Sequence, residues 1–484
     1  MAVTSTPVLP GLPALPDPAA EAVLGSGLLE ELSYAFGGPF HFLLPDAFDR
    51  NLAALRAVLA EAGLDGQVYY AKKANKAAVW VERCAEHGAG VDVASAGELR
   101  EALGHGVRGE DLVVTGPAKN PELLRLAVRQ GALIAVDSLD ELDTVVMTAL
   151  GGRARPARVL LRVLPAAQPH SRFGLTGDEL EAALHRCAKA GPALRTEGFS
   201  FHLSGYDIQA RADVAGTAIG LCLRARALGL EADRISVGGG LPISYTDAAS
   251  WQEFLGTQHS GHYHARKSFG TGDFYPYHSR VSGAGALRAL LAAHPEGHDR
   301  ALADLLRESG TALLLEPGRA LLDRAGGSVF RIQGVKERAG YLLLTVDGTS
   351  LSLSEQWFAS EYLPDPRLIS PDADRTGVAR TEVRTEDRTG VRTEARSGAA
   401  EGPAGAHRAA VGAATCLESD MLSWRKITFP RRPRDGDLLV YPNTAGYQMD
   451  SNESPFHDLP LPPKVVIDHT DRPRPRWRLD RHFH

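Results

Sequence analysis

Lys73 is an amine placed where it could do chemistry. Val68 to Lys72 reads as a short apolar strand, the chain breaks at Asn75, and Lys73 falls at the strand's C-terminal end, where a lysine can project into a cleft. Taken alone it would be a solvated cap, as most lysines are. A triple glycine, Gly238 to Gly240, follows another apolar run, and His202 and the stretch Glu316-Pro-Gly-Arg319 end two more. Three glycines let backbone N–H groups approach an anion closely, although a simple turn uses the same residues. An imine-forming amine together with an anion cradle suits pyridoxal phosphate, held as a Schiff base and by its phosphate.

These residues need a scaffold that brings strand ends together. Eight short apolar runs recur: Val68–Ala71, Gly90–Ala94, Leu112–Thr115, Leu133–Val136, Val159–Val163, Phe199–Leu203, Ile235–Val237 and Ala312–Leu315. Segments of helical spacing, such as Trp80–His87, Ala96–Leu103, Glu122–Gln130, Glu179–Lys189 and Ala215–Leu228, fill most gaps. Eightfold alternation predicts a parallel sheet and suits an α/β fold with a closed (β/α)8 TIM-type barrel, an open doubly wound sheet being the structural alternative. Lys73, Asp92, Ser95, Asp137, Arg162, His202, the triple glycine and Glu316 to Arg319 all lie at or just past the C-terminal ends of these runs, which in a barrel converge on one mouth.

The flanks differ. Residues 1–26, rich in proline, read as a mobile arm, and 27–45 carry a strand near Pro39–Leu44. The barrel is expected over 46–322. It includes an inserted loop at 251–298 whose Phe269, Phe274, Tyr275 and Tyr277 would lie over the mouth and shape a substrate pocket. His259, His262 and His264 in that loop lack the Cys or HExxH spacing of a metal site, and no metal is expected. After Leu322, strands follow without helices, so a β-sandwich domain is expected over 323–484. Its segment 372–409 repeats Arg-Thr-Glu and Arg-Thr-Gly among Gly and Ala, a composition unable to bury a core, and reads as a disordered insertion.

Composition narrows the function classes. The chain of 484 residues is 44% hydrophobic and 23% charged, which calls for two or three globular domains. Its net charge of -6 provides no basic face for nucleic acid or an anionic membrane. Four cysteines stand far apart without C-x-x-C spacing and fit reduced thiols in a cytoplasm. The first basic residue is Arg50, so the N-terminus lacks the marks of a signal peptide or a membrane span.

Tyr70-Ala-Lys-Lys-Ala-Asn75, Gly90-Val-Asp-Val-Ala-Ser-Ala-Gly-Glu98, Ser171-Arg-Phe-Gly174, His202, Gly238-Gly-Gly240, Glu316-Pro-Gly-Arg319, Cys416-Leu-Glu-Ser-Asp420 and Ala445-Gly-Tyr447 occur in the order of a known family. From about Pro39 to Ile467, outside the two insertions, the chain resembles the fold-type III pyridoxal-phosphate decarboxylases of the ornithine, diaminopimelate and arginine group. The resemblance implies a barrel plus a β-sandwich that takes in the N-terminal strand, and a homodimer with shared active sites. It further implies a small-molecule amino-acid substrate and pyridoxal 5'-phosphate as cofactor.

By position, the resemblance makes Lys73 the aldimine lysine and has His202 stack on the cofactor ring. Gly238, Gly239, Gly240, Arg319 and Tyr447 would hold the phosphate, with Ser204 a further phosphate ligand. Asp92 belongs to the cofactor's surroundings. Glu316 would pair with the pyridine nitrogen, keeping it protonated and the ring a strong electron sink. Racemases of the same fold resemble this arrangement with an arginine at that place, so Glu316 favours α-decarboxylation. Cys416, from the partner subunit, would reprotonate the product carbanion, with Asp347, Leu417, Glu418 and Asp420 on the substrate side. Leu417 stands where members that handle diamines carry an acidic residue, and a buried ammonium needs such a partner. Ornithine, lysine and diaminopimelate are therefore disfavoured unless Glu418, Asp347 or the inserted loop supplies the charge. The segment Leu203-Ser-Gly205 is one residue shorter than the family's pattern after the histidine. A racemase or other Cα-transforming enzyme, and a non-catalytic regulatory binder, are the alternative readings.

Overall fold

The computed structural model describes residues 10–151, 155–355, 360–371, 407–468, 470, 472 and 475–480. Its strands, in chain order, are β1 (Phe40–Leu43), β2 (Gly66–Ala71), β3 (Gly90–Val93), β4 (Leu112–Val114), β5 (Leu133–Val136), β6 (Ala157–Arg162), β7 (Leu194–Ser200), β8 (Arg234–Ser236) and β9 (Ala312–Leu315). They continue with β10 (Gly326–Arg338), β11 (Tyr341–Val346), β12 (Arg367–Ile369), β13 (His407–Gly412), β14 (Met421–Phe429), β15 (Leu438–Pro442), β16 (Lys464–Asp468) and β17 (Arg476–Leu479).

β2 to β9 close into a parallel barrel, β9 pairing back onto β2 through Gly66↔Leu313 and Val68↔Leu315. Strands such as Gly90–Val93 and Leu133–Val136 are buried at every residue, as a parallel strand covered on both faces must be. Tyr69, Val113, Leu133, Leu160 and Leu314, from five strands, form a cluster of their own inside the ring. The larger core joins the strands to the helices that wrap them. Those helices carry the expected start signals: Ser95, Asn120, Thr176 and Asp207 each accept a backbone N–H at a helix N-terminus.

The sixth apolar run differs from expectation. β7 begins at Leu194 rather than Phe199, because Thr196 and Glu197 are buried at the N-terminal end of the barrel. There Glu197 accepts from Arg158 Nε at 2.6 Å and pairs with Arg234 at 3.1 Å. Gly198 (φ 147) sits so close to Arg234 that any Cβ would strike its carbonyl oxygen, and the register shifts beside it.

The remaining strands form one curled mixed sheet in the order β14-β13-β11-β10-β1-β16-β17, with β15 pairing β10 and β12. The first half of β10 pairs β1 and β15, its second half pairs β11, and a bulge between Ile332 and Gly334 bends it from one layer to the other. β1 lies between β10 and β16, so the N-terminal strand belongs to this second sheet.

Residues 10–26, expected as a mobile arm, are packed: Pro18–Leu24 is helical, Leu12 is fully buried, and Leu12 N donates to Asp365 Oδ2 at 2.8 Å. Residues 1–9 of that arm, and 372–406 of the expected disordered insertion, lie outside the described residues. Its last three positions, 407–409, begin β13. No helix among the described residues is long and apolar enough to cross a membrane.

Candidate active site

The turn after β2 explains why one of two adjacent lysines reaches the mouth. Lys72–Ala74 makes a single 3-10 turn, which Asn75 stops by turning extended, its Nδ2 donating to Ala445 O at 2.9 Å. Lys72 points away, buried against Glu101 at 2.9 Å, and Lys73 faces the barrel axis. Lys73 Nζ lies 3.4 Å from Asp92 Oδ2 at the end of β3, and Thr115 Oγ1 donates to the other Asp92 oxygen at 2.5 Å. Asp92 above all, with Tyr447 and Glu316 adding to it, holds the Lys73 amine well above its ordinary range against the pull of burial.

Glu316 stands at the C-terminal end of β9. Ser236, ending β8, donates to Glu316 Oε1 at 2.6 Å, and the same Oγ accepts from Gly238 N at 3.3 Å. Glu316 N in turn donates to Gly238 O at 2.9 Å, so the carboxylate and the glycine turn are fixed to each other. Burial pushes the Glu316 carboxyl up to about 7 and Asp92 adds to this, while Ser236 and Lys73 pull it down. Burial, with Lys73 and Arg211 next, lowers His202 to about 3, so its imidazole is neutral.

Gly238 (φ 68) and Gly240 (φ 75) require glycine by conformation. A Cβ at the three positions would meet the His202 ring, Glu316 O and the Arg211 guanidinium at 2.9, 2.8 and 2.0 Å respectively. Together with Lys73, His202, Ser204, Gly205, Tyr206, Glu316, Arg319 and Tyr447, the turn lines a hollow of about 480 Å³. Tyr447, after β15, is held at φ 78 by its N–H donating to Ala74 O at 2.8 Å, a strained backbone next to the site.

Arg319, expected at the phosphate, lines the hollow and is also paired with a carboxylate. Its Nη1 donates to Glu355 Oε1 at 2.9 Å and to Tyr245 Oη at 2.8 Å, its Nη2 also bonds Glu355, and the pair is buried. Tyr275 and Tyr447 flank the guanidinium at 4.2 and 4.8 Å from their ring centroids. Glu355, Tyr245 and Arg211 were not singled out from sequence. Arg211 carried one signal: it shares a helix face with Ala212, Ala215 and Ile219, an odd place for a charge.

Asp347, Cys416, Leu417, Glu418 and Asp420 lie in the second sheet's turns and outside the lining of the hollow. Asp347 accepts from Arg331 N, and burial raises it to about 6. Asp420 staples its own turn, accepting from Ser350 N at 2.8 Å and Thr415 Oγ1 at 2.6 Å. Leu417 is half exposed, and exposed Cys416 Sγ lies 3.3 Å from His457 Nε2.

The inserted loop also differs from expectation, since its aromatics are buried together and none lines the hollow. Trp251 stacks on Phe254, Phe274 packs on Phe254 and Phe269, and Tyr277 packs on Tyr245 and Tyr362. Only Tyr275 approaches the site, from behind Arg319.

Fold and site together place a lysine amine, a carboxylate and a glycine turn in one hollow of a closed parallel barrel joined to a second sheet. The family described as pyridoxal-dependent decarboxylase, pyridoxal binding domain, matches residues 47–264. An uncharacterized protein, y4yA, of Sinorhizobium fredii is 39% identical over 449 residues, 92% of each chain. A diaminopimelate decarboxylase of Actinosynnema pretiosum is 27% identical over 465 residues, covering 92% of this chain and 88% of the relative. Among solved structures, diaminopimelate decarboxylase from Helicobacter pylori, complexed with L-lysine, superposes with a TM-score of 0.68 at 18% identity, over 94% of this chain and 96% of that one. The chain belongs to the fold-type III pyridoxal-phosphate-dependent decarboxylases, carboxy-lyases whose cofactor is pyridoxal 5'-phosphate.

Proposed function

We propose that this protein removes the α-carboxyl group of an amino acid or amino-acid conjugate, using Lys73 to hold the cofactor and Cys416 as proton donor. The observation that carries the reading is a single hollow walled by the Lys73 amine, the Glu316 carboxylate and a glycine turn that no side chain could enter. These residues fit pyridoxal phosphate: an amine for its carbonyl carbon, an acid for its ring nitrogen, and a close-approach backbone for its phosphate.

Bound there, the cofactor supplies an electron sink for the carbanion left when CO2 departs. Lys73 would hold it covalently through Nζ. Asp92, 3.4 Å from the amine, would keep Lys73 oriented. His202, kept neutral, offers a flat face without adding charge. Glu316 is poised near neutrality, able to hold or share a proton with the ring nitrogen. Gly238, Gly239, Gly240, Ser204, Arg319 and Tyr447 would hold the phosphate. Cys416 would reach the hollow of a second subunit in a homodimer, bringing Leu417, Glu418 and Asp420 toward the substrate, with Asp347 behind. With Leu417 in the first of these places, a substrate without a distal ammonium is favoured.

The test is a screen of amino acids and conjugates for CO2 release, with product mass read out, on wild type and Lys73→Ala. The wild type should show the visible absorption of an enzyme-bound cofactor and release CO2, and Lys73→Ala should lose both. An unchanged band in Lys73→Ala would refute the lysine assignment. Deuterium exchange at Cα without CO2 release would replace decarboxylation by racemisation.

A further inference from the structure

Arg211 lies in the first turn of the helix Ile208–Ala227, which follows β7, and is 2% exposed. No carboxylate pairs with it among the described residues. Its hydrogen bonds are to the carbonyl oxygens of Gly239 at 3.4 Å and Gly205 at 3.3 Å, long for a charged donor. Burying a guanidinium on such terms is costly, because two distant carbonyls do not replace its water. Burial accordingly pulls Arg211 down to about 10, with Tyr206 and Asp207 offsetting only part of it.

The position of this cation is more informative than its cost. Its Nη2 occupies the space into which a Cβ on Gly240 would project, 2.0 Å from that point, so it lies directly against the glycine turn. Both carbonyls that it touches belong to residues lining the hollow. Arg319, the other buried arginine there, is already neutralised by Glu355 in a two-point pair. Of the two, Arg211 is the one without a paired carboxylate among the described residues.

We propose that Arg211 supplies a second counter-charge to the cofactor's phosphate, beside Arg319, from behind the glycine turn at Gly239 and Gly240. This rests on the cofactor reading above and deepens it. A phosphate dianion at the turn would satisfy a guanidinium that the fold leaves short of acceptors. The pairing thus makes affinity at this part of the mouth depend on the phosphate and not on the pyridine ring.

The test compares two probes, pyridoxal 5'-phosphate and pyridoxal, titrated into cofactor-stripped protein and followed by visible absorption and tryptophan quenching. Arg211→Gln should weaken the phosphorylated probe about 10- to 100-fold, the range of a lost charge-assisted hydrogen bond. Its affinity for pyridoxal should stay within about twofold. Arg224→Gln, on the exposed face of the same helix, should leave the ratio unchanged. Should Arg211→Gln fail to fold by thermal melting, Arg211→Met carries the same comparison. Equal weakening of both probes, or no weakening of either, overturns the proposal while leaving the cofactor reading intact. A wild-type protein that binds neither probe in a Lys73-dependent way would instead overturn the cofactor reading.

Discussion

Glu316 combines burial, a like-charged neighbour and two helpers in one side chain, and its behaviour should follow from that balance. An acid whose carboxyl is raised in the folded state binds extra protons there, so stability falls as pH rises between its unfolded and folded values. For Glu316 that window runs from 4.5 to about 7. Cofactor-free Glu316→Gln should therefore melt above the wild type at pH 8, with the gap narrowing as pH falls through the window, as differential scanning calorimetry would show. The same substitution should lower the decarboxylation rate about 10²-fold while the visible band persists, since it removes an acid–base partner and not the anchor. At this scale the sequence was legible where a short contiguous motif marks the position, as at Lys73, Gly239, Gly240 and Glu316, which the fold brings to one hollow. It was silent on Glu355 and Arg211, whose meaning depends on neighbours 36 and 28 positions away, Arg319 and Gly239.

Among elements, the strand-helix alternation was readable because parallel barrel strands are continuous apolar runs bounded by capped helices. β7 starts earlier than its apolar run because an ion cluster, buried Glu197 with partly exposed Arg158 and Arg234, replaces apolar residues at the barrel's N-terminal end. The inserted loop was misjudged for the opposite reason: its aromatics suit a pocket wall and a private core equally well, and only packing decides. The loop that brings Glu355 to Arg319 joins the second sheet to the barrel mouth through a buried ion pair. Glu355→Ala should cost about 3–5 kcal/mol, because it strands a buried guanidinium. Replacing both partners, as Arg319→Met with Glu355→Leu, should recover most of that loss in urea melts, since the desolvation penalty disappears with the charges.

Across the whole molecule, the hollow and the Cys416 turn are separate features of one chain, and the proposed chemistry needs both. If they meet only between copies, Lys73→Ala and Cys416→Ala proteins are each inactive as homodimers. Mixing them under exchange should then restore up to roughly a quarter of wild-type activity, from mixed dimers with one intact site. Sedimentation of the mixture would confirm the dimer, and absence of recovery would place the proton donor within the same chain as the lysine.

β1 and β16, parallel neighbours, are separated in the chain by the entire barrel. During synthesis the first strand therefore leaves the ribosome some four hundred residues before the partner it lies beside, and must wait with one edge bare. Its fully buried residues, Phe40 to Leu43, are then a sticky ribbon offered to other nascent chains. A truncation that spares the barrel but ends before Lys464 would make that wait permanent, turning an intact barrel into an aggregating product.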